Sequence, residues 1–210
     1  MLEVNNVSFK ARNIEIRRAD DIARLVARKY PMLSTSKLGG LHMAPLYEKA
    51  LKKADEYLSL TRAEIFGVLN PFNNSTNSDE KILNFLKILK RTKIGNCSEM
   101  CDLGMIFAYL KNIKNIHLVH IRNIAGEYLD HVTLYVENGK KPYIIDPWLG
   151  FADYVPETLI RYKSEFKNIF MLDKFSDTNL FFEKYSYEGD VKKTLQKCSF
   201  IEIFRIKKQI

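Results

Sequence analysis

The sequence predicts an α+β fold: a run of helices, then a small antiparallel sheet, with a helix near the middle of the chain packed on that sheet. Three observations carry this. Apolar residues recur at helical spacing from residue 20 to residue 111; the period turns to alternation after Ile116; and Asn138-Gly139, a strong hairpin signal, divides two of the alternating runs. The 210 residues suit one domain, helical over about 1–90 and with its core over about 91–210.

Taken in order, residues 1–18 read as one edge strand, with Val7, Phe9, Ile14 and Ile16 alternating. Asp20–Tyr30 is predicted as a helix stopped by Pro31, and 34–40 as a loop. A second helix is predicted over Pro45–Leu58. Thr61-Arg62-Ala63-Glu64 then has the form of a capping box opening a short helix that ends near Gly67. Pro71–Ser78 reads as a surface loop, and Asp79–Lys90 as an amphipathic helix. Over Cys97–Lys111, Met100, Leu103, Phe107 and Leu110 form a core stripe. Gly104 costs that helix about 1 kcal/mol of propensity, a cost commonly tolerated where a helix lies close on a sheet.

Strands are predicted over Ile116–Ile121, His131–Val136 and Pro142–Asp146, with a turn at Asn123–Glu127 and an end at Pro147. A helix is predicted over 153–167, then strands near 169–172, 180–187 and 200–206.

Composition narrows the function classes. The chain is 46% hydrophobic and 28% charged, as in a soluble globular protein with ample core material. Its apolar runs are too short to cross a bilayer. Met1-Leu2-Glu3-Val4 lacks the basic-then-apolar pattern of a secretory signal, which points to the cytoplasm, or to export into a host cell without a cleavable signal peptide. The 33 basic and 25 acidic residues leave a net charge of +8. The basic residues are dispersed, with no zinc-finger spacing and no run interleaved with aromatics, so nucleic acid is not an expected partner. Three cysteines, Cys97, Cys101 and Cys198, argue for a reducing compartment and against a disulfide framework. No histidine pair stands at ligand spacing beside them, so neither a metal nor another cofactor is expected.

The chemistry-bearing stretch is Ile94-Gly95-Asn96-Cys97-Ser98-Glu99. A thiol in the first turn of a helix sits beside exposed N–H groups and the positive end of the dipole, which favours its thiolate. Gly95 offers a tight turn into the helix and room for a substrate backbone. Alone, such a cysteine is more often a packing residue; the hairpin gives it a context. A two-residue loop at Asn138-Gly139 sets His131 directly opposite Asp146, about 5 Å apart at Cβ. Pro142 would then fill a hydrogen-bonding position without a donor. A four-residue loop sets Asp146 opposite Thr133 instead, diagonal to His131 and on its face. Either way a carboxylate reaches an imidazole, fixing its tautomer and raising its basicity, and a nearby helix-terminal cysteine gains a base. His120 has no acidic partner at a comparable pairing position, His117 lies on the opposite face of that strand and His42 in a loop-like stretch before Pro45; all three read as structural or surface residues. Asp130 and Glu99 read as solvated, and Cys101, one turn below Cys97, as packing.

Gly95-Asn96-Cys97 opening a helix, Asp130-His131-Val132 in a strand and Ile145-Asp146-Pro147-Trp148 closing the next one resemble the papain/transglutaminase-like superfamily over roughly residues 91–151. Within it, the combination is most similar to bacterial effector and toxin domains that deamidate or cleave host proteins. The resemblance implies a nucleophilic Cys97 on a central helix, His131 as general base and acid, and Asp146 as the orienting residue. The Cys97 backbone N–H would help form the oxyanion hole, with Asn96 the nearest side-chain amide and Trp148 walling the site. The implied partner is a protein substrate, and the reading placed first is glutamine deamidation. Proteolysis and transglutamination use the same triad. An arylamine-acetyltransferase-like enzyme shares its order, although Lys93, Cys101 and Asp146-Pro147-Trp148 depart from that family's motifs. An interaction module with an inactive triad is the non-enzyme alternative.

Overall fold

The computed structural model describes residues 14–34, 45–70, 76–139, 141–170, 180–184 and 189–209. Among them, seven helices accompany a five-stranded sheet whose neighbouring strands all run antiparallel, so the α+β expectation holds. The helices are α1 (Ile14–Lys29), α2 (Pro45–Leu69), α3 (Ser78–Thr92), α4 (Cys97–Leu110), α5 (Val155–Phe170), α6 (Asp190–Lys197) and α7 (Phe200–Gln209). The strands are β1 (Ile116–Asn123), β2 (Tyr128–Val136), β3 (Tyr143–Asp146), β4 (Phe151–Tyr154) and β5 (Leu180–Lys184), in the spatial order β4-β3-β2-β1-β5.

Three elements depart from the sequence expectation, two of them in the helical half and one at the C-terminal end. From Ile14 onward the predicted first strand is helix, because Ile16, Ala19, Ile22, Ala23 and Val26 make one buried face at helical spacing. The rest of that predicted strand, residues 1–13, lies outside the described residues, as do 35–40 of the predicted loop and 71–75 of the predicted linker. The two helices expected over residues 45–67 are one, α2. No glycine or proline interrupts Ser59–Thr61, and Thr61 is buried, so packing carries the helix through a local start signal. The strand expected near 200–206 is α7. Ser199 and Glu202 close a capping box (Ser199 N to Glu202 Oε2, 2.6 Å; Glu202 N to Ser199 Oγ, 3.3 Å), a start signal that the alternating Ile201, Ile203 pattern conceals. Residues 169–170 of another expected strand belong to α5, and β4 occupies a stretch where only a strand end and a helix start were expected.

The sheet is covered on both sides. On one face α4 packs over β2, with Leu134 and Val136 joining Met100, Leu103 and Phe107 in the main core; α1 and the Ile82, Phe85, Leu89 face of α3 extend it. On the other face Tyr162 of α5 closes a smaller cluster with Ile121, Leu129, Phe151 and Leu180. Gly104 explains the helix–sheet distance. A Cβ there would stand 2.4 Å from Pro147 Cγ and 3.1 Å from Leu134 Cδ1, so only glycine lets α4 lie this close.

Two register features position the site. β2 and β3 pair Leu134 with Ile145, Tyr135 with Ile144 and Val136 with Tyr143. This is the wider-loop register, not the two-residue hairpin: Lys141 N donates to Asn138 O (3.0 Å), and pairing begins after Pro142, which has no N–H to give. On the other side of β2, His120 pairs with Val132 but Ile121 pairs with Leu129, so Asp130 and His131 form a bulge facing no β1 residue.

Candidate active site

Cys97 is the first residue of α4, with Asn96 as N-cap. Asn96 and Glu99 close a capping box in which Asn96 N donates to Glu99 Oε2 at 2.8 Å. Glu99 is buried, contrary to its reading as a solvated residue. Arg62 of α2 grips it with both guanidinium arms, Nε to Oε1 at 2.7 Å and a terminal nitrogen to Oε2 at 3.2 Å. Gly95 does not adopt a positive φ, so it is not a turn glycine. Its role is close approach: a Cβ would meet Met32 Sδ at 2.6 Å and Glu99 Cβ at 2.9 Å. The segment around Met32 is itself clipped to the start of α4, with Leu33 N donating to Lys93 O (2.9 Å) and Gly95 N to Leu33 O (3.2 Å).

The bulge in β2 brings His131 out of the regular ladder, and β3 ends with Asp146 diagonal to it. The His131 Nε2 to Asp146 Oδ2 distance is 2.7 Å, with both side chains almost wholly buried. The Cys97 side chain lies close enough to His131 to favour its charged form. Asp146 is tightly held. Tyr162 donates its hydroxyl to Oδ2 (2.6 Å), while Trp148 N and Leu149 N donate to Oδ1 (3.0 and 2.9 Å). Trp148 lies with its ring centroid 5.0 Å from that of His131, and Tyr162 stands edge-on to the same ring at 5.7 Å. Trp148 Nε1 donates to Ser34 Oγ (3.2 Å), which in turn donates to Asn96 Oδ1 (3.0 Å). This relay ties the N-cap of α4 to the segment carrying Asp146 and fixes the orientation of the Asn96 amide.

The electrostatics follow from burial and this network. Burial opposes the imidazolium, but the charge of Asp146, the hydrogen bond to it and the neighbouring Cys97 side chain overcome it and raise His131 to about 10. Burial likewise opposes an ionised Asp146, yet the imidazolium and the donors from His131, Tyr162 and Leu149 hold the carboxyl below its ordinary value. The two form a buried ion pair. Cys101 is a different kind of cysteine: burial, then nearby Asp146, pushes it well above the usual thiol range, and its S–H donates to Val132 O (3.2 Å). Cys198, remote on the C-terminal side of α6, is pushed up to about 12, chiefly by burial.

Of the residues expected from sequence, Cys97, His131, Asp146, Asn96 and Trp148 lie together. His117 and His120 are on β1; burial lowers both, His117 lies 3.6 Å from Glu137 and His120 packs edge-on to Tyr128. His42 lies outside the described residues. Ser34, Arg62 and Tyr162 were missed. Each reaches the site from a distant segment, and no local motif marks any of them. Among the described residues no group of three or more His, Cys, Asp or Glu side chains is placed to hold a metal, and no helix is long and apolar enough to cross a membrane. No protein-family model, curated protein sequence or solved structure matches this chain.

Proposed function

We propose that this chain is a thiol acyl-transfer enzyme, a cysteine hydrolase of papain/transglutaminase-like type, with Cys97 as nucleophile, His131 as base and acid and Asp146 as the orienting carboxylate. The observation that carries the proposal is the buried 2.7 Å His131–Asp146 pair whose imidazole also meets the side chain at the first position of α4. A purely structural core has little use for it, since a buried ion pair contributes little net stability while breaking one is costly.

Asp146 holds Nε2, so Nδ1 is the ring nitrogen that exchanges a proton with Cys97. The reactive form pairs a Cys97 thiolate with the imidazolium of His131, which Asp146 already holds protonated, beside the orphan N–H groups of α4. The thiolate attacks the substrate carbonyl carbon, and the Cys97 backbone N–H, with Asn96 as candidate side-chain partner, stabilises the oxyanion. His131 returns its proton to the leaving amine as the carbon–nitrogen bond breaks. The neutral His131 then deprotonates water, which cleaves the thioester and restores the thiolate–imidazolium pair.

The reaction we assign is deamidation of a glutamine side chain in a partner protein, which releases ammonia and leaves glutamate. The sequence resemblance supports that choice of carboxamide, whereas the geometry supports the thiol chemistry. Incubation with candidate substrate proteins, read by intact mass, tests it. Deamidation adds about one dalton per glutamine, while proteolysis gives fragments and transglutamination an amine adduct. Cys97→Ala must abolish the change, and a modification surviving that substitution overturns the assignment.

A further inference from the structure

Beside the nucleophile lies a cleft of about 260 Å³ formed by the C-terminal half of α2, the first turns of α4, β1, β2 and the start of α6. Two of its lining residues each stand one position along the chain from a proposed catalytic residue: Ser98 after Cys97 on α4 and Val132 after His131 on β2. Ile65, Leu69, Leu118 and Val132 give it apolar walls, and Phe66, largely exposed, stands at its rim.

Its polar end is acidic, in a chain whose net charge is +8. Asp102, one turn below Ser98, and Asp190 both line the cleft. Arg62, the cation in the lining, is committed to Glu99 by two hydrogen bonds. No cation or hydrogen-bond donor meets Asp102 among the described residues. Burial, and then the charges of Glu99 and Asp190, raise its carboxyl to about 8. An apolar cleft with an uncompensated carboxyl in its lining is complementary to an alkyl stem carrying a cation.

We propose that this cleft is a specificity pocket that receives a lysine or arginine side chain of the substrate protein, close in sequence to the residue attacked by Cys97. The proposal rests on the thiol-enzyme reading and adds the chemistry of the substrate. The apolar walls take the methylene stem and Asp102 takes the cationic head. The substrate is thereby a basic segment, although the enzyme itself is basic.

The test is the rate of Cys97 alkylation by three small probes, iodoacetyl-glycyl-lysine amide, iodoacetyl-glycyl-norleucine amide and iodoacetyl-glycyl-glutamate amide, with iodoacetamide alongside. At pH 8.5 Asp102 is ionised, and the lysyl probe is expected to react with Cys97 about tenfold faster than the norleucyl probe, as one charge-assisted contact implies. The glutamyl probe is expected to be the slowest. Asp102→Asn is expected to bring the lysyl-to-norleucyl ratio close to one. Equal rates for all three probes on the unaltered protein overturn the proposal without any variant, as does a lysyl preference that survives Asp102→Asn. If iodoacetamide itself shows no His131-dependent selectivity for Cys97, the thiol-enzyme reading fails and this proposal falls with it.

Discussion

Replacing Gly104 by alanine sets two effects of opposite sign against each other. On helix propensity alone, Gly104→Ala stabilises α4 by about 1 kcal/mol. The new methyl, however, would lie 2.4 Å from Pro147 Cγ and 3.1 Å from Leu134 Cδ1. Ordinary carbon contacts are about 3.5–4.0 Å, so α4 or Pro147 must move by roughly 1 Å. Pro147 is a rigid ring bonded directly to Asp146, whose carboxylate is held by His131, Tyr162, Trp148 and Leu149. Overpacking of this kind costs about 1–3 kcal/mol, enough to exceed the propensity gain. The expected net effect is a destabilisation of up to about 2 kcal/mol, read as a lower urea midpoint at unchanged slope. Displacement of the orienting carboxylate should also slow Cys97 alkylation, because misplacements near 1 Å cost up to about a hundredfold in reactions that depend on alignment. A variant about 1 kcal/mol more stable than the parent, with unaltered Cys97 reactivity, would refute the packing argument.

Three further outcomes follow. Tyr162→Phe removes the 2.6 Å donor to Asp146 and should cost about 1.5–3 kcal/mol in urea unfolding, as for other hydrogen bonds to charged groups. It should also slow alkylation of Cys97 while leaving Cys198 unchanged. Because the folded-state value of His131 is raised to about 10, its contribution to stability is fully present below the unfolded value near 6.5. It is then lost as pH rises through about 10, so urea midpoints of the parent should fall between pH 7 and 10.5, and those of His131→Ala should fall less. Asp102 is raised to about 8 in the fold, which makes its ionisation a cost that grows from the unfolded value near 4 up to pH 8. Asp102→Asn should therefore raise the thermal midpoint at pH 8.5 more than at pH 4.5.

The sequence reached further into the site than into the helical half. Cys97, His131 and Asp146 were legible because a helix start, a strand and a hairpin are local patterns, and either hairpin register keeps Asp146 on the face of His131. The correct register was the one that respects Pro142, which has no N–H for the ladder. The bulge at Asp130-His131 was not legible, since a bulge is fixed by what β1 and α4 leave unfilled and no residue there announces it. Ser34, Arg62 and Tyr162 are likewise set by tertiary packing. Glu99 was misread for the same reason: its partner Arg62 is far away in the chain, and only the fold brings α2 against α4. In α2 and α7 local signals misled in opposite ways. A start motif at Thr61 was overridden by packing, and one at Ser199 was hidden beneath an alternating run.

The most direct test of the proposed triad is alkylation of Cys97 by iodoacetamide at pH 6, followed by peptide mass mapping with Cys198 as internal reference. Cys198 is pushed up to about 12 and stays a thiol there. If His131 and the α4 terminus hold Cys97 as a nucleophile, Cys97 should react more than about tenfold faster than Cys198, and His131→Ala should remove that advantage. A Cys97 that reacts no faster than Cys198, or equally fast without His131, would contradict the triad.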